Sequence, residues 1–410
     1  MIRISRYILV LVTTLALSAV VPQMWWMAFD TPIRKPIVLY SCVENDFLIQ
    51  RTGDKIVRED TRGNTYTREE YEERLPLFFM RQLMISGTMK DTINGVAMDV
   101  HEINMNRTFF NYQPTDLNTP DPGLWPLFES ESGRANLEMP EDFFRITWRL
   151  EFINAKGNQI SEEKSRKFSA ALYNRGFEFP ALMVAGIPTT RKSCDEGYFI
   201  LDSHHQLFHL KMIKGEPYVK KAELPGEIRF SHIACVDFKD KKFYAYLFDN
   251  KGDIYILTQD EYELVKLPVG NFHPEKEELR IYGDIFHYNV IIGGNGFVRD
   301  VVLDKEYRKI TEFNETWPVR SETNIGRWFA GLFPFQLSLS DDNSNYHNFY
   351  FSFSKGFIWL IVSVLLVIVQ IVLIRKRGKL MGHVVDLALI LATGIFGFIA
   401  VNIFQNKFFK

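Results

Sequence analysis

Long hydrophobic runs at the two ends of the chain constrain it more than any motif. Tyr7 to Met27 is an uncharged run of 21 residues, preceded by Arg3 and Arg6 and carrying Trp25-Trp26 near its end. Gly356 to Ile374 is a second run, 19 residues with Gln370 as its one strongly polar member. Val384 to Phe404 is a third, with Asp386 close to its start. About 20 apolar residues in a helix cross a bilayer, so three spans are predicted. Three are too few for a polytopic channel or transporter core.

Flanking charge sets the expected orientation. Arg375, Lys376, Arg377 and Lys379 follow the second run at once, and basic clusters mark the cytoplasmic end of a span. Together with Arg3 and Arg6 they place the N-terminal end inside, residues 30–355 outside, and residues 405–410 outside as a short extracytoplasmic tail. A cleaved signal peptide is the rival for residues 1–29, since Leu17-Ser18-Ala19 has the small residues of a cleavage site. The apolar run continues through Met24–Met27, which favours an uncleaved anchor. Residues 356–404 then form a transmembrane helical hairpin.

The middle is a different material. Removing the eight basic and one acidic residues of the two ends from totals of 48 and 50 leaves 40 against 49, a net −9 over residues 30–355. An acidic segment without a basic stripe excludes nucleic acid as a partner. Aromatic residues at 14% exclude disorder.

This region divides near residue 195. Residues 30–194 read as α+β: short strands from Pro36, a capping box at Thr67 and Glu70, and a helix over Glu162–Asn174. Arg145–Phe152 alternates strictly, which predicts one half-buried strand. Residues 195–320 carry a spaced self-resemblance of strand, polar tip, strand and third strand. The tips lie at Ser203–Gln206, Asp249–Gly252 and Gly293–Gly296; Asp202 to Asp249 is 47 residues and Asp249 to Gly293 is 44. Repeats of this length suggest propeller blades. The predicted fold is therefore mainly β with helical insertions, a propeller-like antiparallel ectodomain with three transmembrane helices. Residues 321–355 form an aromatic juxtamembrane segment in which Trp328, Phe329 and Phe333 serve either as an interfacial helix or as a cap on the β domain.

Chemistry-bearing motifs are sparse. Asp202, His204, His205 and His209 are the densest set of potential metal ligands. The repeat alignment sets His204 and His205 beside Lys251 and Gly252 of a turn, and His209 beside Ile256 of a strand, so solvated turn histidines are the expectation. Asp341–Asn345 starts like a calcium loop, but Tyr346 stands where the pattern needs glycine. Cys194 has basic neighbours of the kind that lower a thiol pKa, though a buried, inert thiol is the expectation, and Asn106-Arg107-Thr108 matches a glycosylation acceptor. No catalytic residue and no cofactor are expected.

Two stretches carry a family likeness: Pro126–Arg134 (PLFESESGR) with the Leu137–Asp142 and Phe144-Arg145 that follow, and Thr189–Gly197 (TTRKSCDEG) leading into Phe208–Lys211. On these the chain resembles a bacterial family of membrane-anchored extracytoplasmic proteins of unknown function. The resemblance implies an inner-membrane companion of ABC-type export systems, whose ATPase and permease are other chains. The expected role is a non-catalytic accessory or sensor subunit. An extracytoplasmic metal-dependent hydrolase using the His204/His205/His209 region and a structural envelope protein are the alternatives.

Overall fold

The computed structural model describes residues 2–30, 33–134, 136–226, 228–375 and 380–405. Lys376, Arg377, Lys379 and the side chain of Arg3 lie outside the described residues. The chain forms two compact units, one of residues 1–35 and 316–410 and one of Pro36–Glu315. The expected regions 30–194 and 195–320 fall almost wholly within the second. The first opens with α1 (Ile2–Phe29).

The Pro36–Glu315 unit starts with an antiparallel sheet of β1 (Ile37–Ser41), β2 (Asp46–Thr52) and β3 (Ile56–Asp60). Helix α2 (Arg68–Arg74) follows from a capping box in which Thr67 and Glu70 bond each other's backbone N–H. Next come α3 (Met80–Ser86), the small ribbon β4 (Thr92–Ile93) and β5 (Val96–Ala97), α4 (Val100–Asn106), β6 (Thr108–Tyr112) and the single turn α5 (Pro114–Leu117).

The strictly alternating stretch is not one strand. It is a hairpin, β7 (Asp142–Ile146) and β8 (Leu150–Asn154), with Ile146 opposite Leu150. Trp148 stands at its tip, 80% exposed. A three-residue loop puts the residues either side of it on the same face, so the alternation runs through the reversal and hides it. Helix α6 (Glu162–Asn174) covers this hairpin through Phe168, which meets Phe152 edge-on at 4.9 Å.

Three larger sheets follow. The first is β9 (Met183–Gly186), β10 (Tyr198–Leu201), β11 (Leu207–Ile213) and β12 (Glu216–Lys221), paired in sequence order. The second is β13 (Phe230–Cys235), β14 (Phe243–Asp249), β15 (Ile254–Thr258) and β16 (Leu264–Lys266). The third is β17 (Glu278–Gly283), β18 (Tyr288–Gly294), β19 (Phe297–Leu303) and β20 (Lys309–Thr316), with the early strand β6 added beside β17. Each repeat thus has four strands, one more than its periodicity showed. The leading strand of the first repeat, Met183–Gly186 (MVAG), is short and built mostly of small residues, and gives no alternation. The fold is mainly β with helices, and no strand pairing closes these sheets into a barrel among the described residues. Cores dominated by Phe, Leu, Tyr and Ile fill the spaces between sheets, as where Phe110 and Tyr112 of β6 meet Tyr246 and Phe248 of β14.

One local device recurs at hairpin ends. The carboxylates of Asp60, Asp202, Asp249 and Asp304 each accept backbone N–H bonds from residues two and four positions on, at 2.8 to 3.0 Å. The third residue after each aspartate is left-handed: Gly63, His205, Gly252 and Tyr307, with φ of 86°, 60°, 89° and 61°. An Asp side chain replaces the missing backbone partners of a tight turn, and the left-handed position turns the chain back into the sheet.

In the other unit, α7 (Asn324–Leu332) is capped by Thr323, whose hydroxyl accepts the Gly326 N–H. Its Phe329 stacks on Trp26 at 4.7 Å, while Trp328 stays 69% exposed. A short ribbon, β21 (Phe335–Ser338) with β22 (Tyr350–Phe353), leads to α8 (Ile358–Arg375) and α9 (Val384–Ile403). Helices α1, α8 and α9 are long and apolar enough to cross a membrane. The expected third span differs from a straight rod, because α9 breaks at Gly394, where φ is 58° and ψ is −132°.

Candidate functional site

The candidate ligands Asp202, His204, His205 and His209 do not come together. Asp202 is wholly buried, and one of its oxygens holds the turn. His205 occupies the left-handed position of that turn, and His204 points to Glu178 at 3.1 Å from an exposed site. His209 is in the core, stacked on Phe199 at 4.2 Å. Its Nε2–H donates to the Glu196 carbonyl, and the Tyr262 hydroxyl donates to Nδ1 at 2.7 Å. Both ring nitrogens are therefore occupied, and burial depresses its pKa to about 3. Among the described residues no group of three or more His, Cys, Asp and Glu is arranged to hold a metal ion. The Asp341 loop is a turn closed by the Asn343 N–H on the Asp341 carboxylate.

Burial works against thiolate formation at all three cysteines. Cys42, Cys194 and Cys235 are free, and burial raises all three, Cys42 and Cys235 to about 12. For Cys194, Lys241 and Lys211 act in the opposite direction but less strongly than burial. Thiolate nucleophiles need the reverse environment.

A better-formed site lies where β6 joins β17. Here Leu77, Phe78, Arg107, Thr108, Phe109, Tyr282, Gly283 and Asp284 line a cleft of about 280 Å³. Register explains the arrangement. Phe109 lies opposite Tyr282 and Thr108 opposite Gly283. The Phe109 and Tyr282 rings tilt together at 5.0 Å, and Phe78 meets Tyr282 edge-on at 5.5 Å. Only glycine fits opposite Thr108, because a Cβ on Gly283 would stand 2.2 Å from Thr108 Oγ1. That hydroxyl is buried and has no hydrogen-bond partner among the described residues. Arg107 is exposed and forms no ion pair among the described residues.

Behind the cleft is a polar knot. Asp284 accepts the Phe286 and His287 N–H groups at 2.6 and 2.7 Å, and Lys305 donates to its carbonyl. Burial raises the Asp284 pKa, and burial lowers His287. Lys305, set 4.2 Å over the Tyr288 ring, is lowered to about 8, again by burial first. Perturbed titratable groups beside a cleft mark a candidate functional site. The sequence had pointed at this place only through Asn106-Arg107-Thr108, whose residues serve as strand edge and cleft wall.

A family described as Domain of unknown function (DUF4857) matches residues 37–300. The chain belongs to this family. The DUF4857 region holds the first two β repeats, most of the third, the turns at Asp60, Asp202 and Asp249, and every residue lining the cleft. No curated protein matches the chain. Among solved structures, the β-propeller domain of Cps50 (Swd1) from Myceliophteria thermophila is similar over 68% of each chain, at 8% identity and a TM-score of 0.25.

The lining of the DUF4857 cleft has features suited to binding. Three aromatic faces suit a flat apolar group, Arg107 suits an anion, and the Thr108 hydroxyl offers one unspent hydrogen bond.

Proposed function

We propose that this DUF4857 protein is a non-catalytic, membrane-anchored accessory or sensor subunit whose β-rich ectodomain binds a ligand or partner. The observation that carries this reading is the cleft at β6 and β17. It combines aromatic walls, an exposed guanidinium and a buried hydroxyl with no partner among the described residues, while burial disfavours the thiolates and the protonated form of His209. The likeness of PLFESESGR and TTRKSCDEG to a bacterial family adjoining ABC-type exporters supports a permease and ATPase as partners. The basic residues beside the hydrophobic runs support a bacterial inner-membrane location with residues 30–355 on the extracytoplasmic side.

A mild-detergent pull-down of the tagged full-length protein tests this, against a chain ending after Lys355. Recovery of an ABC permease and ATPase with the full chain, and their loss on truncation, is the expected result. Recovery of no membrane partner, together with a metal-dependent hydrolytic activity in the purified protein, overturns it.

A further inference from the structure

The two ends of α9 meet at one side chain. The Arg6 guanidinium donates to both Asp386 oxygens, at 2.8 and 3.0 Å, and its Nε donates to the Phe404 carbonyl at 2.7 Å. In a straight helix Asp386 and Phe404 would stand about 27 Å apart, far beyond the reach of one planar group. The helix therefore folds back at Gly394. Two further contacts agree. A Cβ on Gly397 would lie 3.0 Å from the Leu389 carbonyl oxygen, eight residues earlier in the chain. Along α8, Ser363 lies against Gly394, and Asn402 donates to Gln370 at 2.8 Å. The second arm of α9 thus runs beside α8 and in the same direction.

Each arm of α9 is only about 15 Å long at 1.5 Å per residue, half the roughly 30 Å of hydrocarbon. Helix α8, with 18 residues, is long enough to cross. The break at Gly394 is buried and packed against Pro334 and Ser363. That is the setting in which non-helical backbone is tolerated at membrane depth.

We infer that α1 and α8 alone cross the membrane and that α9 is a re-entrant hairpin, so the chain beyond Phe404 emerges on the side of Arg6 and Arg375. Sequence agrees independently. Lys407 and Lys410 follow Phe404, and a three-span topology strands these two lysines on the side opposite the other basic residues. A re-entrant α9 returns them to the basic side, as the charge rule for short loops requires. The inference holds whether or not the protein serves a transporter.

The test uses the full-length protein in bacterial cells, fused after its last residue either to green fluorescent protein or to alkaline phosphatase. Re-entry predicts a fluorescent first fusion and an inactive second one, since phosphatase matures only outside the cytoplasm. Active phosphatase with dark fluorescent protein overturns the inference. A second measurement needs no fusion: Gln405→Cys is treated with a membrane-impermeant maleimide in spheroplasts, alongside Lys355→Cys and Arg375→Cys at the two ends of α8. Protection of Gln405→Cys until permeabilisation, as for Arg375→Cys, supports re-entry. Labelling of intact spheroplasts at Gln405→Cys, as at Lys355→Cys, overturns it.

Discussion

Arg6 and Asp386 stand 380 positions apart and form a two-pronged ion pair that is 1% and 0% exposed. His383 adds a third contact, with Nδ1 3.0 Å from Asp386. Guanidinium and carboxylate match in geometry, and each would be severely penalised in hydrocarbon without the other. The pair thus ties the start of α1 to the start of α9 within the membrane unit.

Removing one partner strands the other charge. Arg6→Gln or Asp386→Asn should destabilise the detergent-solubilised protein by about 3–5 kcal/mol. The double change Arg6→Met with Asp386→Leu should recover much of that loss. Thermal unfolding of the three variants in one detergent measures both effects. A single variant as stable as the parent would remove the pair from any structural role.

The four Asp turns predict opposite effects at equivalent positions. His205 sits where two sister turns have glycine, and a left-handed L-residue costs about 1–2 kcal/mol. His205→Gly should therefore stabilise the protein by about 1 kcal/mol, whereas Gly252→Ala should destabilise it by at least as much. Gly252→Ala also crowds the Phe272 backbone, 3.1 Å from the added Cβ. Denaturant midpoints read both changes. Loss of stability in His205→Gly would mean that the imidazole makes an essential contact.

His209 and His232 are buried neutral, with pKa values lowered to about 3 and about 4. Below the ordinary histidine value of about 6.5 the unfolded chain takes up protons that the folded one refuses. Their contribution is therefore complete above pH 6.5 and is lost as pH falls through 6.5 toward 4 and 3. For His209 the full effect is on the order of 5 kcal/mol. His209→Gln should flatten the fall in unfolding free energy between pH 6.5 and 4, whatever it does at pH 7.

Asp300 in β19 works in the other direction. It is fully buried, neither carboxylate oxygen has a partner among the described residues, and burial holds its pKa well above normal. The folded state keeps a proton that the unfolded state releases above about pH 4, so this residue destabilises the protein increasingly as pH rises. Asp300→Asn should raise stability at pH 7 by about 1–3 kcal/mol, with the gain vanishing near pH 4. Equal gains at both pH values would contradict a buried neutral acid.

Thr108→Val probes the cleft. The hydroxyl satisfies nothing, so an equal-sized apolar replacement should leave the fold as stable or slightly more so. An aromatic anion such as 8-anilinonaphthalene-1-sulfonate should bind the parent more tightly than it binds Arg107→Ala. Equal affinity for both would exclude Arg107 as the anion contact.

The sequence by itself determined the local features, because their causes are local. Hydrophobic run length placed α1 and α8, the Thr67–Glu70 pair placed the start of α2, and the Asp202 and Asp249 tips marked two β repeats. Features that depend on chain reversal or distant pairing were decided only in the folded molecule. The β7–β8 hairpin was hidden because its three-residue loop preserves the alternation of Arg145–Phe152. Strand β6 joins β17 across some 170 intervening residues, so no local pattern could announce the cleft where Thr108 faces Gly283. Composition likewise cannot distinguish a 20-residue span from two short arms, since both bury the same apolar side chains. That choice rests on one glycine with a positive φ and on an arginine 380 residues away from its carboxylate.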